Sequence, residues 1–187
     1  MTTQKTHESK NTFYYVTFTC YRWLNLIDQS DAYHSFYKWF DYLKLNRVHL
    51  TGYVIMPNHF HGIFYVPEDC CKSINQILAN GKRFIAYDII KALKEMKKEK
   101  VLQYLSIETT EKEKRRGKKH KVFRTSSDIK ELYSQDMIIT KLEYIHRNPC
   151  KGKWNLVNQF TQYNHSSASY YELEDSDWFI TDYRKFY

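Results

Sequence analysis

The sequence has no apolar run approaching the roughly 20 residues that a helix needs to span a bilayer. That argues against a helical membrane protein, as does a charged content of 27%. The first residues, Met1 to Lys10, are polar and carry no apolar signal core, so a cytoplasmic protein is expected. Four cysteines are present, Cys20, Cys70, Cys71 and Cys150, and no two are spaced as Cys-x-x-Cys. This argues against a zinc ribbon or a thioredoxin-like site. The adjacent pair Cys70 and Cys71 is poorly placed to bond, and all four thiols are expected reduced. There is no internal repeat and no low-complexity tract.

What is present fits one domain of ordinary size, with 187 residues and a hydrophobic content of 42%. The formal net charge is +8, which suits a polyanionic partner, most simply nucleic acid, or else a generically basic surface. The 17 tyrosines and 11 phenylalanines supply core and, between basic residues, surfaces on which unpaired bases could stack.

Residues 1–11 read as a flexible tail. Phe13 to Cys20 is aromatic and β-branched and reads as a strand. Between Ser30 and Asn46, Tyr33, Phe36, Tyr37, Phe40 and Leu43 recur at helical spacing, with Ser30 or Asp31 as the expected cap. His49–Met56 and His59–Val66 read as strands joined by a tight turn at Pro57-Asn58. Ser73 is expected to cap a long helix from Ile74 to Leu93, kinked or broken at Gly81. Residues 94–121 are charge-rich and read as a solvated helix end followed by a mobile basic loop. Val122-Phe123 and Ile129–Tyr133 suggest a short fourth strand. Gln135–Arg147 is helical, stopped by Pro149. This order predicts an α+β fold, an antiparallel sheet with helices mainly on one face and a further helix after it. The expected division is a tail (1–11), a domain (12–150) and a C-terminal extension (151–187).

The tripeptide His59-Phe60-His61 carries the first chemical signal. Alternation along a strand puts both imidazoles on one face and Phe60, Gly62, Phe64 and Val66 on the other. Paired imidazoles at this spacing suit one divalent metal ion. Surface or hydrogen-bonding histidines are the bland alternative. On the Gln135–Arg147 helix, Tyr144 lies about 200° from Leu142 and off the apolar stripe. Lys141 and Asn148 fall near its face. Such a tyrosine could be a nucleophile with its orienting groups, or simply half-exposed packing. His49, His120, His146 and His165 read as structural.

Three blocks together resemble a known family. Met56-Pro57-Asn58-His59-Phe60-His61 resembles the His-hydrophobe-His signature of HUH nucleases. Lys141-Leu142-Glu143-Tyr144-Ile145-His146-Arg147-Asn148-Pro149 resembles the "YIHxNPV" segment of REP-associated tyrosine transposases, within the single-tyrosine HUH superfamily. Tyr163-Asn164-His165-Ser166-Ser167-Ala168 is similar to that family's Tyr-x-x-Ser-Ser-Ala stretch. The blocks occur in the family's order, and the resemblance spans roughly Phe13 to Tyr171. The sequence departs from the family at Phe123-Arg124 (usually Trp-Gln), at Cys150 (usually Val) and at Lys151-Gly152-Lys153 (usually a small Lys-Ala-Gly turn).

The resemblance implies a ferredoxin-like, RRM-like HUH fold with the catalytic tyrosine, Tyr144, on an added helix. It implies a transposase-like strand transferase that cuts and rejoins single-stranded DNA near hairpin repeats through a 5′-phosphotyrosine. Mg²⁺ or Mn²⁺ would be held by His59, His61 and Asn148, the last at the family's polar position four after the tyrosine. Lys141, Arg115, Arg116, Lys118, Lys119 and Arg124 are candidate DNA contacts. A cytoplasmic, nucleoid-associated monomer is expected, with no membrane partner. The competing readings are a relaxase-type nickase, a catalytically inactive single-strand-binding module and an unrelated two-histidine metallohydrolase.

Overall fold

The computed structural model describes residues 6–115, 117–152 and 154–187. Its elements are β1 (Thr12–Thr19), α1 (Leu26–Gln29), α2 (Tyr33–Leu45), β2 (His49–Met56), β3 (His59–Val66), α3 (Ile74–Glu95), α4 (Glu99–Ile107), α5 (Glu111–Arg115), β4 (Asp128–Leu132), α6 (Gln135–His146) and α7 (Ala168–Glu172). The four strands form one sheet in the order β2-β3-β1-β4, with every neighbouring pair antiparallel. The α+β class and the β2–β3 hairpin follow the sequence expectation.

Two-residue alternation divides the strands between two cores. Tyr14, Val16, Phe18, Phe60 and Phe64 join Phe36, Trp39 and Phe40 of α2 and Ile77, Ile85 and Ile89 of α3 on one face. Phe13, Tyr15, Val54, Met56 and Ile63 meet Ile138, Leu142 and Ile145 of α6 on the other. Helices α2 and α3 thus share a face, and the tyrosine-bearing helix lies opposite. Gly52 brings α6 close, because a Cβ there would sit 2.4 Å from a Leu142 methyl.

Several local expectations are corrected. Helix α2 begins after Ala32 with no side-chain cap; Ser30 Oγ instead donates to the Leu26 carbonyl, and Asp31 takes a left-handed φ of 48°. The extra short helix α1 claims these residues as its own end. Helix α3 runs unbroken through Gly81, whose missing side chain admits Trp39; a Cβ would lie 2.3 Å from the indole. Ser73 caps α3 in a reciprocal capping box with Gln76. The charged stretch 94–121 is not simply a loop but carries α4 and α5, because Leu105 is fully buried and anchors α4 to the core. Phe123 only bridges Cys20, and the fourth strand is Asp128–Leu132.

Of the stretch read as a flexible tail, residues 1–5 lie outside the described residues. His7 and Lys10 are tied down: the His7 amide donates to Asn75, and Lys10 Nζ to the Cys70 and Lys72 carbonyls. At the other end, the chain after α6 lines the outer edge of β2. Ile55 N–H donates to the His165 carbonyl, Ser167 N–H to Tyr53 and Thr181 N–H to Leu50. That edge is covered rather than open to pairing. No described helix is long and apolar enough to cross a membrane.

Candidate active site

His59 and His61 stand on β3, one of the two inner strands, on the face covered by α6. Both are 5% exposed, with ring centroids 4.7 Å apart. Strand register places Thr19 and Met56 beside His59, and Thr17 and Val54 beside His61.

Each ring is fixed from behind. Asn58 Nδ2 donates to the Trp23 carbonyl at 2.8 Å, which settles the orientation of its amide. Its Oδ1, 2.7 Å from His59 Nδ1, can only accept, so Nδ1 carries a proton. His61 Nδ1 lies 2.8 Å from the Tyr15 hydroxyl and 2.7 Å from that of Thr17. Its Nε2 is 3.3 Å from Asn148 Nδ2. Burial, with His59 and Lys141 nearby, lowers the His61 pKa to about 3. The ring is therefore neutral at physiological pH, as a metal ligand must be. Burial also raises the Tyr15 phenol to about 12.

Helix α6 delivers Tyr144. Ser134 caps its start by accepting from the Met137 N–H, and the buried stripe Ile138, Leu142 and Ile145 sets its rotation. Tyr144 is left 44% exposed, with its ring 5.6 Å from that of His61 at 80°. Lys141 Nζ lies 5.6 Å and Lys151 Nζ 5.7 Å from the Tyr144 ring centroid. The helix ends at His146, and a 3-10 turn, Asn148–Cys150, carries Asn148 down to His61. The structure thus brings together His59, His61, Tyr144, Asn148 and Lys141 from separate parts of the sequence.

The other expected residues are spread more widely. Arg124 is exposed in a polar cleft of about 330 Å³ with Thr17, Thr19, Ser126 and Ser127, beside the histidine pair. Lys82 holds this cleft's wall, donating to the Arg124 carbonyl at 2.8 Å and to Ser127 Oγ at 3.2 Å. Lys118 pairs with Glu113 at 2.7 Å, Arg115 and Lys119 are exposed, and Arg116 lies outside the described residues. His146 is a core histidine bonded to Ser167 Oγ at 2.9 Å, as its structural reading expected.

The sequence reading missed Tyr15, Thr17, Asn58, Trp23, Trp154 and Lys151. Alternation in β1 already put Tyr15, Thr17 and Thr19 on one face; only the β1–β3 register, absent from a linear pattern, places them beside the histidines.

Two imidazole rings 4.7 Å apart, with the Asn148 amide 3.3 Å from His61 Nε2, form a nitrogen and oxygen donor set that fits one divalent cation. Among the described residues no group of three His, Cys, Asp or Glu could hold a metal, so further ligands must be amide, water or substrate oxygen.

No protein-family model and no curated protein matches the chain. A solved structure described as a REP-associated tyrosine transposase bound to a REP hairpin is similar to it, with a TM-score of 0.61 and 16% identity. The match covers 98% of this chain and 95% of that one. At this identity the similarity establishes a shared fold.

Proposed function

We propose that the protein is a metal-dependent single-strand DNA endonuclease and strand transferase of the tyrosine-transposase type, acting near hairpin-forming repeats. The carrying observation is the exposed Tyr144 phenol held over the buried His59–His61 pair, with Asn148 closing the set. The shared fold with a hairpin-bound transposase supports the reading.

Tyr144 oxygen attacks the scissile phosphorus, and its proton passes to solvent, to which the residue is open. The bond from phosphorus to the 3′ oxygen breaks, giving a 5′-phosphotyrosine and a 3′-hydroxyl after protonation. Attack by a second 3′-hydroxyl on this linkage rejoins strands and restores the phenol. Phenols are poor nucleophiles at neutral pH and need help there. Lys141 and Lys151 supply positive charge near the ring, and Lys141 is assigned to steady the phenolate. Mg²⁺ or Mn²⁺, held by His59, His61 and Asn148, would polarise the phosphoryl oxygens and offset charge building on them. Arg124 and the adjoining cleft are assigned to the DNA backbone. The covered β2 edge favours a monomer.

The test is incubation with labelled single-stranded hairpin oligonucleotides from the DNA flanking its own gene, with Mn²⁺, followed by a denaturing gel. Wild type should give a covalent adduct that His59→Ala and Tyr144→Phe abolish, while Tyr144→Phe still binds DNA. Binding without adduct by the wild type would leave only a binding module. A wild-type rate across pH in Lys141→Ala would remove that lysine's role.

A further inference from the structure

We infer that Trp23 forms a base-stacking subsite for a nucleobase flanking the scissile phosphate; this deepens the nuclease reading and rests on it. Trp23 is 52% exposed, yet its ring lies 5.8 Å from that of His59 at 72°. An apolar ring of this size at a dyad's edge is expected to fold inward unless something holds it out. Three constraints fix the backbone from which it projects. Arg22 and Trp23 both adopt left-handed backbone, with φ of 49° and 60°, a region unfavourable for residues with a Cβ. The Trp23 N–H donates to the Cys20 carbonyl at 3.1 Å, and its own carbonyl accepts from Asn58 Nδ2 at 2.8 Å. Asn58 is fully buried and also accepts from His59. One amide therefore ties the Trp23 backbone to the histidine.

Strained backbone maintained by a buried side chain beside a reactive centre is the mark of a positioned group. The neighbourhood selects its ligand. The Trp154 ring also lies 6.1 Å from that of His59, and Arg22 beside Trp23 is exposed, 3.6 Å from Glu108. Exposed aromatic faces with an arginine beside them, next to the proposed phosphate-binding centre, suit a single strand whose bases are splayed and stacked. The fitting ligand is an unpaired nucleobase one step from the phosphate that Tyr144 attacks. Stacking reads any base, so the subsite fixes the strand's path more than its sequence.

The test measures binding of fluorescein-labelled single-stranded hairpin oligonucleotides in the Tyr144→Phe background, with an abasic site moved through each position around the mapped cut. Trp23→Ala should weaken binding about tenfold, and Trp23→Phe by no more than roughly threefold. At one position the abasic substitution should cost the Trp23 protein about tenfold and the Trp23→Ala protein nothing further. Equal affinity of Trp23→Ala and its parent, or an equal abasic penalty at every position in both, would overturn the subsite. Trp23-dependent binding by a wild type that forms no adduct would retire the nuclease reading and leave the stacking subsite standing. No binding to any oligonucleotide would end both.

Discussion

Asn58 Oδ1 accepts a hydrogen bond from His59 Nδ1 at 2.7 Å, fixing which nitrogen of His59 faces the site. Outer partners of this kind orient a ligand and raise its basicity, and losing one costs about 10–100-fold in metal affinity. Asn58→Ala is therefore expected to weaken Mn²⁺ binding by that order in a titration calorimeter. It should also destabilise the fold by roughly 1–3 kcal/mol, since the Trp23 carbonyl loses its donor. Unchanged Mn²⁺ affinity would remove Asn58 from the site.

His61 has two hydroxyls on one nitrogen, so they back each other up. Tyr15→Phe or Thr17→Val alone leaves one hydroxyl and should change Mn²⁺ affinity by less than about threefold. The double variant should lose roughly 10–100-fold, more than the product of the single effects. Additive single losses would show that the two hydroxyls act separately.

Gly81 packs against a rigid partner. Alanine there gains up to about 1 kcal/mol of helix propensity. Its Cβ would nevertheless meet the buried Trp39 indole at 2.3 Å. Overpacking of this kind costs about 1–3 kcal/mol, so Gly81→Ala should unfold at lower temperature in a calorimetric scan. A higher melting temperature would contradict the close α2–α3 crossing.

Acid should destabilise the protein through two buried histidines. Burial lowers His61 to about 3 and His146 to about 4, whereas an unfolded histidine titrates near 6.5. Between those values the unfolded chain binds more protons, so stability falls as pH drops below about 6.5. Each histidine accounts for roughly 2 kcal/mol of loss by pH 5, at about 1.4 kcal/mol per unit. Urea unfolding of His146→Gln at pH 7 and pH 5 should show a shallower pH slope than wild type. An identical slope would mean that His146 charges freely in the folded state.

The strands, the hairpin, the Ser73 cap and the faces of β3 were legible because each depends on local alternation or a local cap. The pairing of Tyr144 with His61 was legible only through the family resemblance, because nothing local ties residue 144 to residue 61. The unbroken α3 was not legible, since glycine reads as a break until Trp39 is seen filling the space. Leu105 hid α4 in the same way: one anchor in a charged stretch leaves no periodic signal. Trp23 was hidden because its placement depends on positive φ at two residues that rarely adopt it.

The most direct measurement locates the covalent bond. The adduct with a hairpin oligonucleotide is digested with nuclease and trypsin, and the modified peptide is sequenced by mass spectrometry. A 5′-nucleotide is expected on Tyr144, in the tryptic peptide Leu142–Arg147. A nucleotide on another residue, Tyr15 for example, or cleavage with no protein-linked product, would contradict that assignment.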